Sequence, residues 1–212
     1  MEQTCENRIF RASETAAVNQ IRLCGFAASE PQFSHENHGR QFYRFLLECP
    51  RLSGTTDILP ILADRELLDA LAAEGDAVSV TGQLRSFNSH SETGRHLILS
   101  VFASQIRFCS EPPCNEVLLR GTLCKMPVLR RTPLGRDICD AILAVRRQYG
   151  RTDYLPCIFW GAAARMIGSR VPGDTVQLDG RMQSREYRKV LPDGTAEWRT
   201  AYEISALTVY PE

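Results

Sequence analysis

The sequence predicts an all-β protein of two tandem five-stranded barrels, each with one short helix. An internal repeat, the order of elements within it and a stiff joining segment are what predict it. Asn19-Gln20-Ile21-Arg22-Leu23-Cys24-Gly25 returns as Asn115-Glu116-Val117-Leu118-Leu119-Arg120-Gly121, an offset of 96. The same offset carries Pro31 to Pro127, Gly39-Arg40 to Gly135-Arg136, and the segment from Thr56 to Pro60 onto that from Thr152 to Pro156. Further on the offset becomes 98, matching Gly75-Asp76 with Gly173-Asp174 and Val80-Thr81-Gly82 with Leu178-Asp179-Gly180, as a small insertion in a connection would produce. Units of roughly a hundred residues are too long for solenoid repeats and have the size of small domains. Pro112-Pro113 holds the segment between them extended. The division is residues 1–18 as an N-terminal extension, 19–109 as a first barrel, 110–114 as a linker and 115–212 as a second barrel.

Within the second copy, Asn115 to Leu123 is a strand rich in Val and Leu, and Gly121 inside it signals a bulge or a close backbone approach. Pro133 to Gly135 is a turn, and Arg136 to Val145 reads as a largely buried strand before the polar loop Arg146 to Thr152. Asp153 to Trp160 is a third strand, and Gly161 to Ser169, with its run of alanines, is a helix. Val176 to Lys189 and Ala196 to Val209 are long strands around a Pro192-Asp193-Gly194 hairpin turn. The first copy follows the same order, with its helix at Asp64 to Ala73. Five strands with the helix between the third and fourth is the order of an OB barrel, whose front face and loops bind oligonucleotides or oligosaccharides.

Composition fits this picture: 43% hydrophobic and 24% charged residues suit a chain with a buried core and not a disordered one. No stretch nears the roughly 18 apolar residues of a membrane span and no signal peptide opens the chain, so the expectation is a cytoplasmic protein. The eight cysteines show no C-x-x-C and read as reduced thiols, most of them small apolar residues. Cys109 and Cys114 bracket the prolines, where the neighbouring sequence supplies no further ligands, and His35 and His38 read as solvated residues of a hairpin turn; no metal and no cofactor are expected. The net charge is zero, but residues 1–114 hold 10 Lys and Arg against 14 Asp and Glu, while residues 115–212 hold 15 against 11. A polyanion would be drawn to the second half.

The second copy resembles the bacterial single-stranded DNA-binding protein family along nearly its whole length. That family's opening Asn-x-Val-x-Leu-x-Gly strand is seen as Asn115 to Gly121, followed by Pro127; its aliphatic strand ending in Ala-Val stands at Ala144-Val145. The Phe/Trp-Gly-x-x-Ala passage into the helix is seen from Phe159 to Ala164. The Val-x-x-Gly-Arg-x-x-Ser-Arg-x-Tyr strand runs from Val176 to Tyr187, and a Tyr-Glu-Ile strand stands at Tyr202 to Ile204. The resemblance implies base stacking on Tyr149, Tyr154, Trp160 and Tyr187, with Arg146, Arg147 and Arg151 around the first and Arg181, Arg185, Arg188 and Lys189 flanking the last as phosphate contacts. In the first copy only Phe87, with Arg85, remains near the position of Tyr187, so that barrel reads as a weakened binder or a packing partner.

The expected function is non-sequence-specific binding and protection of single-stranded DNA in replication, recombination or repair. No phosphate loop, carboxylate pair or nucleophile with its base is present, so an enzyme is not expected. The alternatives are an OB-fold protein-interaction or assembly module and a binder of single-stranded RNA. The family commonly presents four barrels per complex, which implies a homodimer here. The family's acidic tail for recruiting other proteins has no counterpart at Tyr210-Pro211-Glu212.

Overall fold

The computed structural model describes residues 18–70, 75, 77–91, 94–147, 150–191 and 194–210. Each copy closes five strands into a barrel. In the first, β1 (Val18–Ala27) pairs with β3 (Arg40–Pro50), β3 with β4 (Thr56–Asp64), β4 in parallel with β6 (Gly94–Phe108), β6 with β5 (Ala77–Ser91), and β5 back with β1. In the second, β7 (Cys114–Leu123), β9 (Asp137–Arg146), β10 (Thr152–Trp160), β12 (Ala196–Tyr210) and β11 (Thr175–Val190) close in the same sequence.

Alternation builds the core. Along β10, Leu155, Cys157 and Phe159 are buried while Tyr154 and Trp160 face outward, and β4 repeats this with Leu59, Ile61 and Ala63 inside. The glycine expected to allow a close approach does so. A Cβ on Gly121 would lie 2.8 Å from Val145 Cγ2, and one on its counterpart Gly25 only 2.1 Å from the Glu48 carbonyl oxygen, so each barrel seam closes backbone against backbone.

Three elements depart from the sequence reading. β2 (Gln32–Asn37) and β8 (Val128–Arg131) add a short edge strand to each barrel; β8 has every side chain exposed, so no alternation announces it. The helix expected over Asp64 to Ala73 is a 3-10 helix over Arg65–Ala70, and residues 71–74 lie outside the described residues. The Asp64 carboxylate accepts from Glu66 N at 3.0 Å and so caps the start of this turn. In the second barrel the helix forms as expected, as α1 over Gly161–Gly168.

The barrels are joined by pairing β1 with β7, which makes one continuous sheet of 12 strands. Asn19 opposes Leu119 and Asn115 opposes Leu23, so the register maps onto itself when the repeats are exchanged. The copies thus meet as two subunits of a symmetric dimer would, inside one chain. A reciprocal polar exchange reinforces the joint. Fully buried Asp153 accepts from Ser86 N of the first barrel at 2.6 Å, while fully buried Asp57 accepts from Ser184 N of the second at 2.9 Å. Each carboxylate is neutralised by an arginine six residues upstream: Arg51 binds Asp57 through Nε at 2.6 Å and Nη2 at 2.5 Å, and Arg147 binds Asp153 through Nε at 2.6 Å and through Nη2. Ser184 Oγ accepts from Ile58 N and Ser86 Oγ from Tyr154 N, at 3.1 and 2.7 Å. Breaking such a buried pair leaves an uncompensated charge, at a cost of about 3–5 kcal/mol. Asp153→Ala strands Arg147 and the Ser86 amide together, and urea unfolding should show a loss in that range; a loss under about 1 kcal/mol would mean that this pair does not hold the joint.

Candidate nucleic-acid interface

The outward faces of β10, β12 and β11 form one surface, with β12 in the middle. On β11, Leu178, Gly180 and Met182 turn inward, which puts Arg181, Arg185, Tyr187 and Lys189 on the outer face. Trp160 Nε1 donates to Ser205 Oγ at 3.1 Å, and Ser205 stands opposite Arg181, so Trp160, Ser205 and Arg181 form a band across three strands. Trp160 and Tyr154 share the outer face of β10, 40% and 46% exposed, so neither is a core residue. β10 and β12 run parallel through Cys157–Ile204, which places Tyr154 on the side of the band toward Arg185 and Tyr187. The Arg185 guanidinium lies 5.8 Å from the Tyr187 ring centroid, a cation-π pair that holds the half-buried ring at the surface.

Some expected residues fall elsewhere. Arg188 is on the opposite face of β11 from Tyr187, across the ladder from Trp198. Trp198 is 72% exposed and was not singled out by the sequence reading; strand alternation beyond the end of the core is the signal that finds it. Arg147 is committed to Asp153 and also donates to the Ser86 carbonyl at 3.1 Å, so it organises the joint. Arg146 is exposed at the end of β9, and Tyr149 lies outside the described residues.

The first barrel's face is less bare than the sequence suggests. A cavity of about 570 Å³ is lined by His35, Arg44, Arg85, Phe87 and Phe102 of that barrel and by Arg147 and Arg151 from the loop of the other. Among the described residues, four arginines and no carboxylate line it, together with Leu62 and Ile98. Arg85 lies 5.9 Å from the Phe102 ring centroid and 3.1 Å from Asp153, and Phe87 is 41% exposed. His35 stacks on Phe42 at 5.0 Å in β2, while His38 and Gly39 make the hairpin turn with positive φ of 50° and 74°. The register makes Phe102 the counterpart of Ser205, since Leu62 faces Phe102 as Ile158 faces Ser205. The aromatic has moved one strand over: the second barrel has Trp160 hydrogen-bonded to a serine, and the first has Asp64 at the place of Trp160 and a phenylalanine at the place of Ser205. By the offset of 98 that relates β5 to β11, Phe87 matches Arg185, not Tyr187.

A second cavity, of about 490 Å³, lies against Trp160 and is lined also by Arg131, Arg136 and Arg165. Asp137 partly balances these, pairing with Arg165 at 2.6 Å and Arg131 at 3.4 Å. Chemically, the arrangement offers flat apolar rings at intervals with guanidinium groups between them and, among the described residues, no cluster of acid, base and nucleophile. That suits a flexible polyanion with unpaired planar bases.

Residues 114–210 match the model of the single-strand binding protein family. Among curated relatives, a single-stranded DNA-binding protein of Bacillus cereus is 34% identical over 80 residues, 34% of this chain and 47% of the relative. Single-stranded DNA-binding protein A of Bacillus subtilis has the same identity over the same length and is covered to 46%. The chain thus spans about half the length of these curated relatives. The crystal structure of the wild-type single-stranded DNA-binding protein of Thermus aquaticus superposes with a TM-score of 0.75 at 20% identity, over 93% of this chain and 94% of that one. At that identity the likeness concerns the fold, and it extends over both barrels.

The two loop arginines differ in a measurable way. Arg147→Ala, which strips Asp153 of its bidentate partner, should lower the unfolding free energy by about 3–5 kcal/mol. Arg151→Ala, at an exposed residue, should stay within about 0.5 kcal/mol of the parent. Equal stability of the two variants in a urea titration would contradict the division made here between a joint residue and a surface residue.

Proposed function

We propose that this chain, whose residues 114–210 belong to the single-strand binding protein family, binds single-stranded DNA without reading its sequence, in the protection of exposed strands during replication, recombination or repair. The observation that carries this is the continuous outer face in which Trp160, Tyr154 and Tyr187 alternate with Arg181, Arg185 and Lys189. Each ring offers a stacking platform worth about 1–3 kcal/mol per base, and each free guanidinium a phosphate contact. Neither element distinguishes one base edge from another. The strand continues over Phe87 and Phe102, with Arg44 and Arg151 as its phosphate contacts there. The protein acts by binding alone and is not an enzyme.

Free thiols at Cys24, Cys49, Cys109, Cys114, Cys124, Cys139 and Cys157 suit the reducing cytoplasm as its location. Among the described residues no helix is long and apolar enough to cross a membrane. The β1–β7 joint uses up one edge of each barrel and leaves β2 and β8 at the two ends of the sheet. Phe33, 59% exposed, and Val128 and Leu129, 55% and 49% exposed, lie on those edges and supply the contact for a homodimer of four barrels.

Titration with oligo-dT should quench the Tyr and Trp fluorescence, with affinity falling as salt rises and with clear preference over duplex DNA of equal length; equal affinity for the duplex would overturn the assignment. Tyr187→Ala should weaken this binding by about 1–3 kcal/mol with the salt slope unchanged, whereas Arg185→Ala or Arg151→Ala should reduce the slope by about one unit each. If Tyr187→Ala lowers the melting temperature and leaves affinity intact, the ring serves its hairpin and not the ligand. Light scattering at micromolar concentration should give twice the 23.8 kDa chain mass, and a value at the chain mass would remove the dimer.

A further inference from the structure

The eight cysteines have no metal-binding spacing in the sequence, yet the fold gathers three of them where the first barrel hands over to the second. Cys24, in β1, is the hub and is 1% exposed. Cys114, the first residue of β7, stands opposite it in the register. Cys109, just past β6, is anchored by its own amide, which donates to the Ala77 carbonyl at 2.9 Å, and its thiol donates to the Glu111 carbonyl at 3.8 Å. The Sγ atoms of Cys24 and Cys109 and a carboxylate oxygen of Glu111 lie within 4.8 Å of one another. Arg22 forms an ion pair with Glu111 Oε2 and reaches Glu116 at 3.6 Å.

We propose that Cys24, Cys109 and Glu111, completed by Cys114, form a structural site for zinc or a similar thiophilic divalent metal at the junction of the two barrels. Sulfur-rich donors select such a metal and disfavour calcium or magnesium, which take oxygen ligands. Sulfurs bound at about 2.3 Å in a tetrahedron lie about 3.8 Å apart, so small side-chain adjustments bring Cys24 and Cys109 to that spacing, and Cys114 joins them from its place opposite Cys24 in the ladder. Three thiolates and a carboxylate exceed the charge of one dication, and Arg22, already on the far oxygen of Glu111, offsets part of that excess. The ligands come from β1, from the exit of β6, from the linker and from β7, so the metal ties together the segments on which the barrel-to-barrel register depends. Removal from water raises all three thiols above their ordinary value, so without metal they keep their protons at neutral pH. Metal uptake must displace those protons and therefore tightens as pH rises.

The test uses the full chain, reduced and stripped of metal with a chelator, then titrated with cobalt(II). The expected result is a thiolate-to-cobalt charge-transfer band and the ligand-field bands of tetrahedral cobalt, saturating at one ion per chain, displaced by zinc and weaker at pH 6 than at pH 8 (roughly either side of neutrality, where protons compete). Zinc should also raise the melting temperature of the stripped protein. Cys109→Ser and Glu111→Gln, at positions that are not buried, should retain the parent circular dichroism and bind cobalt at least about tenfold more weakly. Cys124→Ser, an exposed thiol outside the cluster, should bind as the parent does. Absence of the charge-transfer band in the reduced parent, or undiminished cobalt binding by Cys109→Ser, overturns the proposal.

Discussion

Everything functional in this molecule depends on the antiparallel pairing of β1 with β7. That ladder converts two edge strands, each a liability with unpaired amides, into the centre of one sheet. Because the pairing is symmetric under exchange of the repeats, a contact across it can be made twice where both copies keep the residues for it. The buried carboxylates exploit this. Asp57 and Asp153 sit at equivalent positions, and each satisfies a backbone amide of the opposite barrel while its own upstream arginine neutralises it. A carboxylate with no exposed surface is tolerable only when its charge and lone pairs are matched. The matching groups come from both barrels, so the pair specifies how the barrels sit.

The same geometry explains why a loop serves the barrel it does not belong to. Thr152 to Trp160 starts beside the other barrel's β5, where the Tyr154 amide donates to Ser86 Oγ. The loop before it therefore projects over the first barrel's face, and Arg151 lines that barrel's cavity. In the other direction Asp57 and Ile58 meet β11 at Ser184, next to Arg185. The first barrel's cavity is thus a composite of its own sheet and its neighbour's loop.

The sequence made the architecture legible because the repeat is long, its spacing is nearly constant, and alternation is strong wherever a strand is half buried. β10 was readable to within a residue for that reason, while Tyr154 and Trp160 were pointed to by the family resemblance. What stayed hidden lacks a local signature. β8 has no buried side chain, so no period marks it. The 3-10 helix over Arg65–Ala70 reads as an α-helix in the sequence because its composition suits either. Arg147 looked like a phosphate contact because exposed loop arginines usually are solvated, and only the partner, fully buried Asp153, reveals its other use. Phe102 was missed for a different reason: matching the copies position by position looks for an aromatic on β4, while the first barrel carries it on β6.

That shift bears on how the two barrels share a ligand. A stacking platform needs a ring at a given place on the surface, and it does not matter which of two adjacent strands supplies it. Comparing aligned positions therefore underestimates the first barrel, and so does counting charge by halves. The excess of carboxylates over basic residues in 1–114 is real, but Asp57 and Asp64 are buried, Asp57 is paired with Arg51, and among the described residues no carboxylate lines the cavity beside Phe87 and Phe102. At an ionic strength near physiological the Debye length is about 8 Å, so a backbone phosphate over that cavity responds mainly to Arg44, Arg85 and Arg151 and little to acidic residues on distant surfaces. The local field, not the net charge of the domain, governs whether the first barrel binds. Under the proposed binding role, the joint at Ser86 and Tyr154 would be the crossing point between the two faces, with the first barrel extending the site of the second.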